Sequence, residues 1–315
     1  SIGESTMQIL VTGGAGFIGS HLAEHLAREG QQVRVLDNLS SGKRANLTGL
    51  SGVDLIEGDI RDASTVRAAM KGIDAIYHLA AVASVQASID DPLGTHGSNF
   101  TGTLNLLEAA RQQGVRRMIY ASSAAVYGDT NALPVSEKTI ANPLSPYAAD
   151  KLAGEHYLNF YSAKHDIATT AFRFFNIYGP RQDAASPYSG VISIFVERIQ
   201  RGQGVVVFGD GRQTRDFVFV RDLVNVLMSS LSSEKTIGVV LNVGRGVECS
   251  LLDLLGTLER LVGRSVSRQH EPARVGDIFR SRADVSGLKA ALNYVPSTAM
   301  DVGLAELLSS QPARE

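Results

Sequence analysis

The sequence predicts a doubly wound α/β fold: a parallel sheet with helices on both faces, joined by a smaller C-terminal domain. Three observations predict it. Short apolar runs alternate with helix-length stretches through the first half of the chain. Glycines close those stretches, and a glycine-rich turn joins the first run to the first helix. After about residue 176 the alternation breaks, and Gly, Pro, Arg and Asp crowd the segment Gly179–Gly190.

The strand-like runs are Gln8–Val11, Val33–Leu36, Val53–Ile56, Ala75–Leu79 and Arg117–Ala121, short and largely apolar, as strands covered on both faces are. Helical stretches lie at Ser20–Glu29, Ala63–Met70 and Thr103–Gln113, with Gly30, Gly72 and Gly114 as stops. A long helix over Pro146–Lys164 precedes a sixth strand at Ala168–Phe174. A helix at Val191–Arg201, a strand at Val205–Phe208 and C-terminal helices then build the smaller domain, while Val239–Val243 reads as a strand rejoining the main sheet. The expected division is a first domain over 7–176, rejoined by roughly 217–245, with 177–315 forming most of a discontinuous second domain. Ser1–Thr6 precede Met7 and are set aside as a short extension.

With 315 residues, 44% of them apolar, and a formal charge of −2, the chain has ample material for a buried core. The near-neutral balance points to neither a nucleic-acid nor a membrane partner. The apolar runs are too short to span a bilayer, and no basic segment followed by an apolar one opens the chain. Cys249 is the sole cysteine, so no intramolecular disulfide forms, and a reducing, cytoplasmic setting is expected.

Thr12-Gly13-Gly14-Ala15-Gly16-Phe17-Ile18-Gly19 follows a strand and opens an amphipathic helix. Such glycines permit a tight turn, close approach of backbone to a pyrophosphate, and close helix–strand packing, while the helix N-terminus offers N–H groups to phosphate. Asp37 ends the second strand, where its carboxylate can accept from adenosine ribose hydroxyls and repel a 2′-phosphate. That favours NAD over NADP, with Lys43 and Arg44 as the nearby cations that argue the other way. Asp59, after the third strand, is either an adenine contact or a residue of the next helix's N-terminal cap. His21-Leu22-Ala23-Glu24-His25 matches one zinc-peptidase pattern. Its helix is the one the glycine turn opens, however, and no third ligand is indicated, so no metal is expected.

Tyr147 and Lys151 stand four residues apart, hence on one helical face, behind Ser145 and Pro146 as cap and first-turn residue. A free tyrosine, with a pKa of about 10, is a poor base at neutral pH. A neighbouring ammonium and a positive nicotinamide ring would both favour the phenolate. Upstream, a strand ends in Tyr120-Ala121-Ser122-Ser123-Ala124-Ala125-Val126-Tyr127-Gly128. Strand ends of an open α/β sheet meet ligands, although Ser122 and Ser123 can equally serve turn hydrogen bonds.

In order along the chain stand the glycine turn, Asp37, Gly58-Asp59, His78-Leu79-Ala80-Ala81, the Ser-Ser strand end and Tyr147/Lys151. Arg173-Phe174-Phe175-Asn176-Ile177-Tyr178-Gly179-Pro180-Arg181 and Arg215-Asp216-Phe217 follow. Over nearly its whole length the chain resembles the extended short-chain dehydrogenase/reductases, and within them the 4-epimerases of UDP-sugars. The resemblance implies a Rossmann sheet that binds NAD and a nucleotide-sugar substrate. For the cofactor it implies contacts from Gly13, Gly16, Phe17, Ile18, Gly19, Asp37, Asn38, Ser40, Gly42, Asp59, Ile60, Leu79, Ala80, Ala81, Tyr147 and Lys151. For the substrate it implies Ser123, Tyr147, Asn176, Arg215, Arg274, Asp277 and Ser281, with Phe208 packed near uracil. Arginine forks suit a diphosphate, although surface salt bridges are their ordinary alternative.

Related dehydratases carry an Asp-Glu pair, and decarboxylases a glutamate, where this chain has Ala124 and Ala125. The resemblance therefore implies oxidation and reduction at the sugar C4 alone. Tyr147 takes the hydroxyl proton, Ser123 hydrogen-bonds the same oxygen, and Lys151 binds the nicotinamide ribose and lowers the tyrosine pKa. A reductase or decarboxylase of the same fold is the nearer rival, and a non-catalytic NAD-binding scaffold the more distant one. Where epimerases restricted to UDP-glucose and UDP-galactose carry a tyrosine, four residues after the aspartate at 277, this chain has Ser281. The smaller side chain implies room for a C2 acetamido group. A homodimer through the Tyr-Lys helix is implied as well, with Leu152, Ala153, Tyr157 and Phe160 compatible.

Overall fold

The computed structural model describes residues 5–185 and 190–310. Residues 1–4, where the sequence suggests a short extension, 186–189 of the Gly/Pro-rich segment, and 311–315 lie outside the described residues. In chain order the elements begin β1 (Gln8–Thr12), α1 (Phe17–Arg28), β2 (Gln32–Asp37), β3 (Val53–Glu57), α2 (Ala63–Ala69) and β4 (Ala75–His78). Next come α3 (Val85–Asp90), α4 (Pro92–His96), α5 (Gly102–Gln113), β5 (Arg117–Ser123), α6 (Pro146–His165) and β6 (Ala168–Phe174). The remainder is β7 (Asn176–Tyr178), α7 (Val191–Gln200), β8 (Val205–Phe208), β9 (Thr214–Arg215), β10 (Phe217–Phe219), α8 (Val220–Ser230) and β11 (Val239–Val243). It ends with β12 (Cys249–Ser250), α9 (Leu251–Val262), β13 (Arg268–Glu271), α10 (Ser286–Leu292) and α11 (Met300–Ser310).

Two compact units emerge, residues 1–128, 141–173 and 224–241 in the first, and 129–140, 174–223 and 242–315 in the second. Residues 129–140, which the sequence leaves inside the first domain, cluster with the second unit.

The first unit holds a seven-stranded sheet in the order β11-β6-β5-β4-β1-β2-β3. Parallel pairing runs β1 to β2 and β4, β2 to β3, and β4 to β5. Strand order reverses between β1 and β4, and ligands bind open α/β sheets at the carboxyl ends of strands at such a switch point. Ile9, Leu10 and Val11 of β1 are wholly buried, which is why both faces of that strand are apolar. On one face Leu10, Leu36, Ile76 and Met118 pack with Val66, Leu106, Leu107 and Leu158 in one core. Each such side chain contributes about 1.5–3 kcal/mol by leaving water.

Helix α1 begins at Phe17, three residues before the expected start, because extended Gly16 serves as its N-cap. Strand β5 runs on to Ser123, so both serines belong to the strand. The helices between Val85 and His96 are not anticipated by the sequence: they are too short for a periodic pattern, and local caps at Ser84 and Asp91 set them. Helix α6 starts where expected, with Ser145 Oγ accepting the Ala148 N–H at 3.1 Å and Pro146 in the first turn.

In the second unit β7 pairs with β10 and β8 with β13, both parallel, and β9 pairs with β12 antiparallel. Asp222 anchors the C-terminal segment there, accepting the Ser297 and Thr298 N–H groups at 3.1 and 2.8 Å.

Candidate active site

At the end of β1, Gly13 turns with φ +69°, and a Cβ there would lie 2.8 Å from the Ala80 nitrogen. A Cβ on Gly19 would lie 2.2 Å from the Gly13 oxygen. Neither position accepts another residue, so the first turn of α1 lies directly against the loop that leaves β1. No side chain caps α1, so its first N–H groups are free of the usual competitor for an anion. Asp37 is buried, and its two oxygens accept the Ala15 N–H at 3.0 Å and the Leu39 N–H at 2.8 Å. Each oxygen retains acceptor capacity for a hydroxyl. Gly42 packs on the same carboxylate, and the Ala15 carbonyl accepts from Lys43 N and Asn46 Nδ2. Arg44 pairs with Glu57, which occupies one of the two cations that would suit a 2′-phosphate. These features fit a dinucleotide without a 2′-phosphate.

The structure corrects the reading of Asp59 as a cap residue: Asp62 caps α2 instead, accepting from Ser64 N. Asp59 is engaged by the Arg61 guanidinium and backbone N–H, with Asn38 Nδ2 at 3.4 Å. The Arg61 hydrogen bonds hold its carboxyl below the usual range. Ser40 N donates to Asn38 Oδ1 at 3.0 Å, which fixes that loop. The Ile60 side chain is buried in the core, leaving little of it for a ligand.

Leu79, Ala80 and Ala81 are positioned by a network the sequence does not reveal. Thr103 Oγ1 donates to the Asn99 carbonyl at 2.9 Å and accepts from His78 Nε2 at 2.8 Å. Thr12 Oγ1 then donates to His78 Nδ1 at 2.7 Å and accepts the Leu79 and Ala80 N–H groups, both at 3.1 Å. Burial, with Lys151 nearby, pushes the His78 imidazole down to about 3, so it is a neutral strut.

Where β5 ends, Ser123 Oγ accepts the Ala125 N–H at 3.1 Å, which leaves its own hydrogen for the Tyr147 phenol. Lys151 Nζ donates to the Ala121 carbonyl at 2.7 Å and lies 5.8 Å from the Tyr147 ring centre. The three residues singled out in the sequence are therefore brought together. Burial pushes the phenol above the ordinary tyrosine value, and Ser123 opposes that shift. One N–H of the Lys151 ammonium is used by the Ala121 carbonyl, which leaves two for a ligand, and burial pushes the ammonium down to about 8.

In the second unit the substrate candidates associate in pairs. Arg215 Nη2 donates to Asp277 Oδ1 at 2.5 Å, and its Nη1 to the Ile278 carbonyl at 2.6 Å. The Arg274 guanidinium lies 4.1 Å from the Phe208 ring centre. Ser281 N donates to Thr214 Oγ1 at 3.2 Å, and that hydroxyl donates to Glu248 Oε1 at 2.8 Å. Arg280 grips the same carboxylate at 2.8 Å from both Nε and Nη2, pushing Glu248 down to about 2. Exposed Asn176 donates its N–H to the Asp216 carbonyl at 3.1 Å. Asp216, beside Arg215, is a hub that the sequence does not mark as one. Fully buried, it accepts the Arg245, Gly246 and Ala283 N–H groups at 2.8–2.9 Å.

Among the described residues no cluster of His, Cys, Asp and Glu could hold a metal ion, and His25 Nδ1 is bonded to the His21 carbonyl at 2.7 Å. No described helix is long and apolar enough to cross a membrane.

A family model described as the NAD-dependent epimerase/dehydratase family matches residues 9–244. The chain is 41% identical to a UDP-glucose 4-epimerase of Mycolicibacterium smegmatis, covering 95% of this chain and 97% of that protein. It is 33% identical to a UDP-N-acetyl-α-D-glucosaminuronate decarboxylase of Bacillus cytotoxicus, covering 95% and 96%. Among solved structures, the UDP-glucose 4-epimerase of Thermus thermophilus in complex with NAD superposes with a TM-score of 0.87 at 37% identity, covering 96% of this chain and 98% of that one. The UDP-N-acetylglucosamine 4-epimerase of Methanobrevibacter ruminantium, in complex with UDP-N-acetylmuramic acid, superposes with a TM-score of 0.93 at 34% identity, covering 98% of each chain.

Proposed function

The chain belongs to the NAD-dependent epimerase/dehydratase family, and from that premise we propose that it inverts C4 of UDP-hexoses through a transient 4-keto sugar. It accepts both the N-acetylated pair, UDP-GlcNAc and UDP-GalNAc, and the plain pair, UDP-Glc and UDP-Gal. The hydrogen-bonded Ser123–Tyr147 pair, with Lys151 on the same helix face, carries this reading.

Tyr147 is placed to take the proton of the C4 hydroxyl as phenolate, the form that the positive nicotinamide ring of bound NAD would favour against its burial, and Ser123 hydrogen-bonds that oxygen and relays the proton. NAD, when bound, would supply the hydride acceptor for C4. The N–H groups at the start of α1 hold the pyrophosphate, Asp37 the adenosine ribose, and Lys151 the nicotinamide ribose. Arg215, Arg274, Asp277, Asn176 and Phe208 hold the UDP portion, so the Arg215–Asp277 pair rearranges when the diphosphate arrives. Ser281, held from its backbone by Thr214, leaves volume beside the sugar C2. Ala124 and Ala125 offer no carboxylate at the head of the turn after β5, which disfavours dehydration and decarboxylation.

The protein works as a homodimer in a reducing, cytoplasmic setting. Leu93, 87% exposed, and Phe160, 63% exposed, support the dimer, since apolar side chains on α4 and α6 ask for a cover. The protein is tested by incubation with each of the four UDP-hexoses without added cofactor. Interconversion within both pairs, with no net NADH absorbance, is expected. Stoichiometric NADH formation, or no sugar exchange in either pair, overturns the reading.

A further inference from the structure

Beneath the Ser123–Tyr147 pair lies a buried charged network that proton transfer at C4 does not use. Glu155 is 3% exposed, Arg173 7% and Ser122 2%. Arg173 donates from Nε to Glu155 Oε2 at 3.0 Å and from Nη2 to Oε1 at 2.7 Å. Ser122 Oγ donates to the same Oε2, and the Arg173 guanidinium lies 4.8 Å from the Tyr127 ring centre. A buried ion pair seldom adds net stability over an apolar pair of similar volume, because desolvation offsets the attraction. Its placement suggests another use.

Tyr147, Lys151 and Glu155 stand at successive fourth positions of α6, on one face. Each reaches one of three consecutive residues of β5: Tyr147 meets Ser123, Lys151 the Ala121 carbonyl, and Glu155 the Ser122 hydroxyl. Through Arg173 the same carboxylate ties in the end of β6, and through Tyr127 the turn that follows Ser123. Both flanks of Ser123 are thus held from one carboxylate.

We propose that Glu155 is a positioning residue for proton transfer, setting the distance between Tyr147 and Ser123 by locking α6 to the ends of β5 and β6. The proposal rests on the reading of Tyr147 as the base. A displacement of about 1 Å in such a pair can cost a hundredfold in rate without weakening substrate binding.

The test compares Ser122→Ala, Glu155→Gln and the double variant Glu155→Gln, Arg173→Met, each measured per folded, NAD-containing protein. Ser122→Ala leaves the Glu155–Arg173 pair intact, so Tm and KM should stay near wild type while kcat falls about tenfold or more. Glu155→Gln strands a buried guanidinium, so Tm and kcat should both fall. The charged and titratable groups around Lys151 are Asp150, Glu155, Tyr147, Tyr120, His78 and, beyond Glu155, Arg173. Loss of one of the two carboxylates that keep Lys151 protonated should also move the alkaline limb of kcat to lower pH. The double variant should recover Tm but not kcat. Wild-type kcat in Ser122→Ala, or recovery of kcat together with Tm in the double variant, reduces the network to a structural role and overturns the proposal. Wild-type turnover in Tyr147→Phe, run alongside, overturns the underlying reading of the base and this proposal with it.

Discussion

The Asp37 carboxylate accepts the Ala15 N–H at 3.0 Å, so the residue that ends β2 also holds the glycine turn that follows β1. With the role proposed for Asp37, ribose recognition and turn geometry share one side chain. Asp37→Ala should lower NAD content, relax discrimination against NADP, and cost about 1–3 kcal/mol by leaving the buried Ala15 N–H without a partner. Cofactor released on denaturation and the thermal midpoint check this. Unchanged content and preference would move ribose recognition elsewhere.

Tyr147→Phe keeps the ring and removes the proposed proton acceptor. UDP-sugar affinity should hold within about twofold while kcat falls by roughly 10²–10⁴. Direct binding of UDP-sugar, measured beside turnover, separates the two effects.

Lys151 carries the next prediction. Burial brings its folded value down to about 8 from an unfolded 10.5, so the unfolded chain holds the proton more tightly between those values. Stability should therefore rise with pH from about 8 to 10.5, by up to the order of 3 kcal/mol for this group. Catalysis should decline over the same range as the ammonium is lost. Lys151→Met should lack this stability slope, retain NAD poorly and turn over little. Melting curves and kcat recorded across pH 7–10.5 decide it, and an identical slope in the variant would assign the effect to another group.

His78 acts in the opposite part of the pH scale. Its folded value, about 3, lies below the ordinary 6.5, so its contribution is complete above about pH 6.5 and is lost as pH falls toward 3. His78→Gln should be less stable than wild type at pH 7, because Thr12 and Thr103 lose a bridging ring. The difference should shrink by pH 5. Parallel melting curves that keep a constant gap would show that imidazole protonation is not the cause.

Ser281→Tyr should abolish activity on UDP-GlcNAc and UDP-GalNAc while sparing UDP-Glc and UDP-Gal, since the ring excludes by volume alone. Ratios of kcat/KM for the two pairs measure it. A tyrosine variant that still turns over UDP-GlcNAc, or a wild type that rejects it, would sink the assignment.

Local features were legible in the sequence because each states its own requirement. The glycines of residues 13–19 and the apolar runs of β1 to β6 specify a turn and a two-faced sheet within short windows. So do the Ser145-Pro146 start of α6 and the four-residue spacing of Tyr147 and Lys151. Partnerships across long separations were not legible. His78 reads as one residue of a strand end until folding brings Thr12, 66 residues away, and Thr103, 25 away, to its two nitrogens. Arg173 and Glu155 read as two ordinary charges until the ends of β5 and β6 bury them together. The chain's residue types thus determined which groups could do the chemistry. Burial and long-range hydrogen bonding, which exist only in the folded chain, decided that the imidazole is neutral, that Lys151 points to Ala121, and that the Tyr147 phenol lies above its ordinary pKa.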